Sequence, residues 1–537
     1  MQARTGGYAD SVTLMAVSAR AQAVAGVQAA LVAMATELNL GLLDGLGLAA
    51  PAGAGEHDLL IAIKAADSDS LSAALVIVDQ ALKTRPGGSS DLSERDQPPR
   101  TTASAAARSG PAIALVSVPG QYAFAEALDA LNSGCDVMIF SDNVPVEQEV
   151  KLKEIAAGRD LLVMGPDCGT AIVGGVGLGF ANSVRRGPVG VVAASGTGAQ
   201  QLTCLLELAG AGVSAVLGVG GRDLSAAVGG RSARAALAAL DADPATEPIV
   251  LLSKPPAAEV AANLREFAAG LTTEVQLALI GPGQPDLTEV AENVLRAIGV
   301  PVPDWPRWPT GTLRDEAIAA GPADPRPDQP GVTPGRTGAL RGLFAGGTLC
   351  DEAMVIAAER LGPIYSNVPL DPSWRIDPRI PATDAAVNPQ PLAVPPGAVA
   401  SSAQGGRREP ARRHVMIDFG EDELTAGRPH PMIDQRLRLD RLAAEAADPA
   451  TAVIMLDVVL GYGAHPDPAA ELAPAIAAAK ADRELAVVVS LIGTQTDPQG
   501  LAAQAAELAR AGAHVFASNA AAARFACDLI TSGREGN

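Results

Sequence analysis

Two short turns carry the residue types that could bind an anion. In VVAASGTGAQQL, Val191 to Leu202, a run of small and β-branched residues enters Ser195, Gly196, Thr197 and Gly198 and then an apolar helical stretch. In LRGLFAGGTLCDEAM, Gly346, Gly347 and Thr348 hold the same place before Cys350. A strand feeding a helix through such a turn aims free backbone N–H groups and the positive end of the helix at one spot. Glycine lets a ligand approach the backbone, and the hydroxyls of Ser195, Thr197 and Thr348 add donors. The same residues also make a plain tight βα turn. The second copy favours function: two such turns can face a shared phosphate, which suits phosphoryl or acyl-phosphate chemistry. Neither turn holds a lysine or histidine, and Ser195 lacks the glycine-flanked elbow and nearby histidine of a hydrolytic triad.

Charge to supplement the turns must come from elsewhere. Arg222 in GVGGRDL, Lys254 in SKPP directly after an apolar run, Arg428 and His430 in ELTAGRPHPMID, and His465 in GYGAHPDP are the candidate catalytic groups. Asp167 and Cys168 in GPDCGT, Asp223 beside Arg222, and Asp418 in IDFGEDE are the candidate substrate contacts. Each has a plainer alternative: a surface lysine, an Arg–Asp structural pair, a solvated loop, a chain turn. The His and carboxylate spacings match no metal-ligand signature, so no metal is expected. Cys168 has no evident base beside it to make a thiolate.

Elements must position these groups. Segments 85–110, 301–337 and 372–412 are rich in Pro, Gly, Ser and Ala without apolar period, and read as a linker, a Pro-rich linker and a flexible insertion. They separate four blocks: 1–84, a small α+β domain; 111–186, a Rossmann-like domain of βαβ units; and 187–300 and 338–537, two α/β domains. In the first block, SVTLMAVSA, GVQAALVAMAT, DLLIAIKAA and LSAALVIVDQALK are expected to alternate strand, helix, strand, helix. The last two blocks are an internal repeat. Both show strand, small-residue turn, helix, the string DPAT, and two further strands. From Ser195 to Asp243 is 48 positions and from Gly346 to Asp448 is 102, and the insertion supplies most of the difference. Each copy is expected to be flavodoxin-like.

Composition excludes several classes. With 537 residues and 48% hydrophobic content the chain can bury several cores. A net charge of −20 has the wrong sign for nucleic acid or an anionic membrane. Five scattered cysteines with no CxxC point to a reducing cytoplasm, and no segment reads as a signal peptide or membrane span.

The stretches VSVPGQYAFAEALDAL, GPDCGT and VGVVAASGTG followed by GVGGRDL resemble the CoA-binding and first ligase domains of the succinyl-CoA synthetase superfamily. The fourth block, with IDFGEDE and VLGYGAHPD, is similar to the ligase domain of that superfamily's partner subunit. Together with SKPP, ELTAGRPHPMID and GTQTDPQ, these motifs resemble FdrA proteins closely. The resemblance implies a CoA-binding-type Rossmann domain followed by two flavodoxin-like ligase domains with phosphate-facing helices. It suggests CoA as the one cofactor, and partners in the form of a small-molecule substrate, phosphate and other enzyme subunits. The synthetases' phosphorylated histidine is missing, since the matching stretch here is LIGPGQPDLTEV; SKPP replaces the loop that orients it, and no ATP-grasp domain precedes the fourth block. The resemblance therefore implies an enzyme subunit that is not by itself a nucleotide-dependent CoA ligase. For FdrA proteins it implies oxamate carbamoyltransferase, in which oxalurate and phosphate give oxamate and carbamoyl phosphate during allantoin breakdown. The alternatives are an acyl-CoA synthetase using a separate ATP-grasp subunit, and a non-catalytic scaffold that binds CoA or an acyl phosphate.

Overall fold

A computed structural model describes residues 2–4, 11–36, 39–41, 43, 55, 58–83, 99–110, 112–309, 338–379, 413–425 and 428–531. Most of the expected Pro-rich linker and of the insertion lies outside them. In the N-terminal block an antiparallel sheet of Gln2–Arg4, Leu59–Ala65 and Val27–Met34 is covered by helices Ser11–Gln22 and Ser68–Lys83. The order of its elements differs from that expected. SVTLMAVSA is helical because Leu14, Val17 and Ala21 recur at helical spacing and are buried. GVQAALVAMAT forms a strand, with Val32 and Met34 alternating into the core. Helix Thr102–Ser109, capped by Thr101, falls inside the stretch expected to be linker.

The Rossmann-like piece is a three-stranded parallel sheet, Ile113–Val116, Asp136–Ile139 and Val163–Met164, with helices Gly120–Asn132 and Val146–Ala157 as crossovers. The hairpin Thr170–Val173 and Val176–Gly179 then joins the next sheet. That six-stranded sheet runs Val275–Leu279, Ile249–Ser253, Arg186–Ala193, Val213–Gly218, Thr170–Val173, Val176–Gly179. The seven-stranded sheet runs Arg307–Trp308, His514–Phe516, Ala486–Ile492, Thr451–Val459, Ala339–Phe344, His414–Asp418, Ile364–Tyr365.

In both sheets the strand that enters the glycine turn is central, flanked in the first copy by Val213–Gly218 and Ile249–Ser253 and in the second by His414–Asp418 and Thr451–Val459, with Ile364–Tyr365 as an added edge strand beyond His414–Asp418. This is the doubly wound, flavodoxin-like order. All nine residues of Thr451–Val459 and all seven of Ala486–Ile492 are buried, as parallel strands covered on both faces must be. The two sheets do not stand apart. Helices Gly196–Leu208, Leu287–Ala297, Gly347–Leu361 and Asn519–Thr531 contribute to one hydrophobic core spanning both copies. Helix Gly347–Leu361 buries eleven of its fifteen residues, so it is a central pillar rather than a surface helix. Among the described residues no helix is long and apolar enough to cross a membrane.

Candidate active site at two facing helix ends

Strand Arg186–Ala193 delivers Ser195 as the extended N-cap of helix Gly196–Leu208, and its Oγ accepts the Gly198 amide at 3.0 Å. The same hydroxyl lies 2.6 Å from Thr348 Oγ1, at the start of helix Gly347–Leu361. The twin turns therefore meet. Glycine makes the meeting possible: a Cβ on Gly346 would lie 2.8 Å from Thr197 Oγ1, and one on Gly198 would lie 3.0 Å from Thr348 Cγ2. Gly346, the second N-cap, has no side chain, and Asp457 supplies the acceptor by taking the amides of Ala345 and Gly346 at 2.7 Å each.

This contact corrects one expectation. Hydroxyls 2.6 Å apart leave no room for a phosphate between them. The open space lies beside the first turn, in a cavity lined by Asp167, Cys168, Thr170, Ser195, Gly196 and Gly220 among others. Its enclosed part has room for about one water-sized group, and the rest of its roughly 170 Å³ is open cleft. The first-turn amides of Gly196 and Thr197 have no intrahelical acceptor. Thr170 Oγ1 is buried without a hydrogen-bond partner, 3.4 Å from where a Cβ on Gly196 would be. An orphaned buried hydroxyl is costly, and here it stands at a positive helix end.

Cys168 lines the cavity, its Sγ 3.3 Å from the Gly218 carbonyl, and burial pushes the thiol up to about 12. It is no nucleophile. Asp167 sits at the mouth with φ 57° and is exposed to solvent. Desolvation by the surrounding protein, then the charges of Asp422 and Asp142, push its carboxyl above the ordinary carboxylate range against the pull of Arg222, an effect that solvent screening reduces because the residue is exposed.

At the second turn, Lys254 follows strand Ile249–Ser253 and pairs with Asp351 at 3.0 Å. Burial disfavours its charge, but Asp351, Asp418 and Glu421 outweigh that and hold the ammonium protonated. A Cβ on Gly347 would touch both Asp418 Oδ2 at 2.6 Å and Lys254 Nζ at 3.1 Å, so both groups lie against this helix end. Asp418 ends strand His414–Asp418 and accepts the Gly420 amide at 2.8 Å; burial raises its carboxyl to about 8, with Lys254 opposing. Burial thus favours its acid form.

Other candidates are placed elsewhere. Asp223, expected at the substrate, is fully buried: it takes Lys153 Nζ at 2.8 Å and the amides of Ser232 and Ala233 at 3.1 and 2.9 Å, which occupy it as a helix cap and ion-pair partner. Arg222 reaches Glu149 at 3.0 Å and the Val144 carbonyl at 2.8 Å, with its charge near the cavity mouth. Arg428 is exposed and, among the described residues, forms no ion pair. His430 packs on Phe180 with ring centroids 5.6 Å apart, and its Nδ1 accepts the Met432 amide. Burial, then Arg438, push it down to about 4, so it is neutral and cannot join Arg428 as a cationic pair. His465 lies before helix Pro468–Lys480, where its Nδ1 accepts the Asp467 amide and its Nε2 is 3.4 Å from Glu471; desolvation opposes its charge, but Glu471 outweighs it and raises the imidazole.

Sequence reasoning missed four contributors: Thr170, Asp351, Asp457 and Asn367. Asn367 holds the Asp418 backbone through both its amide and carbonyl, at 3.0 and 2.8 Å. A lone aspartate in the apolar run VIMLDVVLG was the available signal for Asp457, because a carboxylate inside such a strand must find buried donors.

Comparison with known proteins follows the same outline. Residues 343–529 match the CoA-ligase family model, and residues 1–98 match one described as AllF, heavy metal-associated domain. The Escherichia coli (strain K12) uncharacterized protein YahF is 37% identical over 545 residues, spanning 98% of each chain. A mitochondrial ADP-forming succinate–CoA ligase subunit alpha-2 of Trichomonas vaginalis is 28% identical over 145 residues, 26% of this chain and 46% of that protein. Among solved structures, the Ca. Korarchaeum cryptofilum dinucleotide forming acetyl-coenzyme A synthetase 1, in complex with phosphate and ADP, aligns over 79% of this chain and 82% of its own, at 14% identity and TM-score 0.27.

Residues 1–98 contain no cysteine, and among the described residues no cluster of His, Cys, Asp or Glu could hold a metal, so a heavy-metal site does not fit. At the helix start of the Rossmann-like piece, only glycine fits at position 120, since a Cβ there would lie 2.2 Å from the Asp142 carbonyl oxygen.

Proposed function

The chain belongs to the FdrA family of the succinyl-CoA synthetase superfamily, and from that premise we propose that it is the phosphate-handling subunit of an oxamate carbamoyltransferase. The observation that carries this reading is the cavity beside Ser195, where a helix start and the orphaned Thr170 hydroxyl offer donors that no protein group uses. A phosphate oxygen held there attacks the carbamoyl carbon of oxalurate; the new C–O bond forms, the C–N bond to oxamate breaks, and the departing nitrogen takes up a proton. In this reading Asp418, whose acid form burial favours, supplies that proton, and Lys254 offsets the charge that develops at the second helix end. No step needs a nucleotide or a phosphohistidine, which agrees with the lack of a histidine between Gly281 and Asp286.

The test is phosphate-dependent cleavage of oxalurate by the chain with its partner subunits, read as carbamoyl phosphate formed. An assembly that yields none sinks the proposal. The CoA-ligase match over 343–529 favours a second reading, an acyl-CoA synthetase completed by a separate ATP-grasp subunit. ATP hydrolysis that depends on both CoA and an acid would identify it.

A further inference from the structure

A carboxylate stands where the cavity's donors invite an anion. Asp167 lines the same cavity as Thr170, Ser195 and Gly196, and among the described residues its carboxylate accepts no hydrogen bond. The groups facing it are Asp142 on the loop after strand Asp136–Ile139, Glu421 and Asp422 beyond strand His414–Asp418, and Arg222, whose guanidinium is shared with Glu149 at 3.0 Å. Three of the four repel it.

Its placement is fixed by the backbone. The Asp167 amide donates to the Ser141 carbonyl at 3.0 Å, and φ is 57°, a left-handed conformation that Asp and Asn tolerate better than most residues. The carbonyl of the preceding residue, Pro166, lies against Gly220, where a Cβ would be 2.3 Å from its oxygen. The carboxylate is thus held at the mouth of an anion cavity.

A fixed carboxylate repels a bound oxyanion that has no proton, and accepts a hydrogen bond from one that does. Hydrogen phosphate and sulfate share shape and charge; only the first has a proton to give. Resting on the phosphate-transfer reading above, we propose that Asp167 is the specificity residue of this cavity, accepting the proton of hydrogen phosphate and thereby excluding fully deprotonated oxyanions of the same shape. The carboxyl, raised above its ordinary value, is protonated in larger part at pH 6 than at pH 8.5, and the protonated form can donate to sulfate. Selectivity therefore sharpens as pH rises from 6 to 8.5.

The experiment is calorimetric titration of the full chain with inorganic phosphate and with sulfate, at pH 6 and 8.5, for the wild type and for Asp167→Asn. Asparagine keeps the size and the left-handed tolerance but offers an N–H to any oxyanion. At pH 8.5 the wild type binds phosphate at least about 100-fold more tightly than sulfate, and the variant narrows the ratio to below about 3-fold. Equal binding of the two ions by the wild type at pH 8.5, or an undiminished preference in Asp167→Asn, overturns the assignment. Binding of neither ion by the wild type overturns the phosphate cavity itself, and this inference with it.

Discussion

Replacing Thr170 by valine should move stability and ligand affinity in opposite directions. The Thr170 Oγ1 is buried and has no partner in the protein, so the folded chain bears the desolvation cost of a hydroxyl, about 1–3 kcal/mol, without a compensating bond. Valine keeps the branched shape that suits strand Thr170–Val173 and removes that cost, so the ligand-free variant should be more stable by about 1 kcal/mol or more. With phosphate bound, the wild-type hydroxyl becomes a donor to a charged acceptor, worth about 1.5–3 kcal/mol. Its loss should weaken phosphate by roughly 10- to 150-fold, at 1.4 kcal/mol per factor of ten. Thermal denaturation in phosphate-free buffer reads the first effect, and calorimetric titration with phosphate reads the second. A Thr170→Val protein that melts lower without phosphate and binds the ion unchanged would show a structural hydroxyl and refute the reasoning.

Three further outcomes follow from the geometry. Gly346→Ala forces a methyl to 2.8 Å from Thr197 Oγ1 and should pry the turns apart, costing about 1–3 kcal/mol in denaturation and lowering turnover; Gly362→Ala, whose Cβ would meet nothing within 4 Å, bears only the strain of its φ of 85° and serves as the control. Because the folded state holds the Asp418 carboxyl at about 8, above its unfolded value, the stability it contributes is complete in acid and is lost as pH rises toward 8. Asp418→Asn should flatten that slope in pH-dependent unfolding, and the wild-type turnover should fall above about pH 8. Asp457→Ala strips the acceptor from two amides and leaves Arg438, 3.2 Å away and 1% exposed, without its counter-ion, a loss of about 3–5 kcal/mol in chemical denaturation.

The doubled turn was legible because local chemistry dictates it: small residues between an apolar strand and a helix leave few alternatives, and the DPAT string aligned the two copies. The N-terminal block was misread because alanine-rich runs such as GVQAALVAMAT satisfy both periods, and only tertiary burial of Val32 and Met34 decides between them. The site was legible in part. Lys254 and Asp418 end strands at the glycine turns, as expected of ligand-binding positions in an open α/β sheet. Asp223 could not be told from a ligand contact, because its true partner, Lys153, is seventy positions away in sequence and belongs to another sheet's helix. Thr170 was quoted in GPDCGT without being noticed, since an orphaned hydroxyl is a property of packing and leaves no trace in residue order.

The connector between the two ligase copies has a consequence for assembly. Residues Arg307–Trp308 leave the first copy and lie antiparallel to Phe516 and Val515 at the far edge of the second sheet, so both halves of the facing turns are tethered within one polypeptide. Closure of the pair is then an intramolecular event, independent of protein concentration. Dilution to nanomolar protein should leave the Ser195–Thr348 contact intact, whereas two separate chains of ordinary micromolar affinity would part. Any dependence of activity on enzyme concentration should therefore report the docking of other subunits, and never the joining of the two turns.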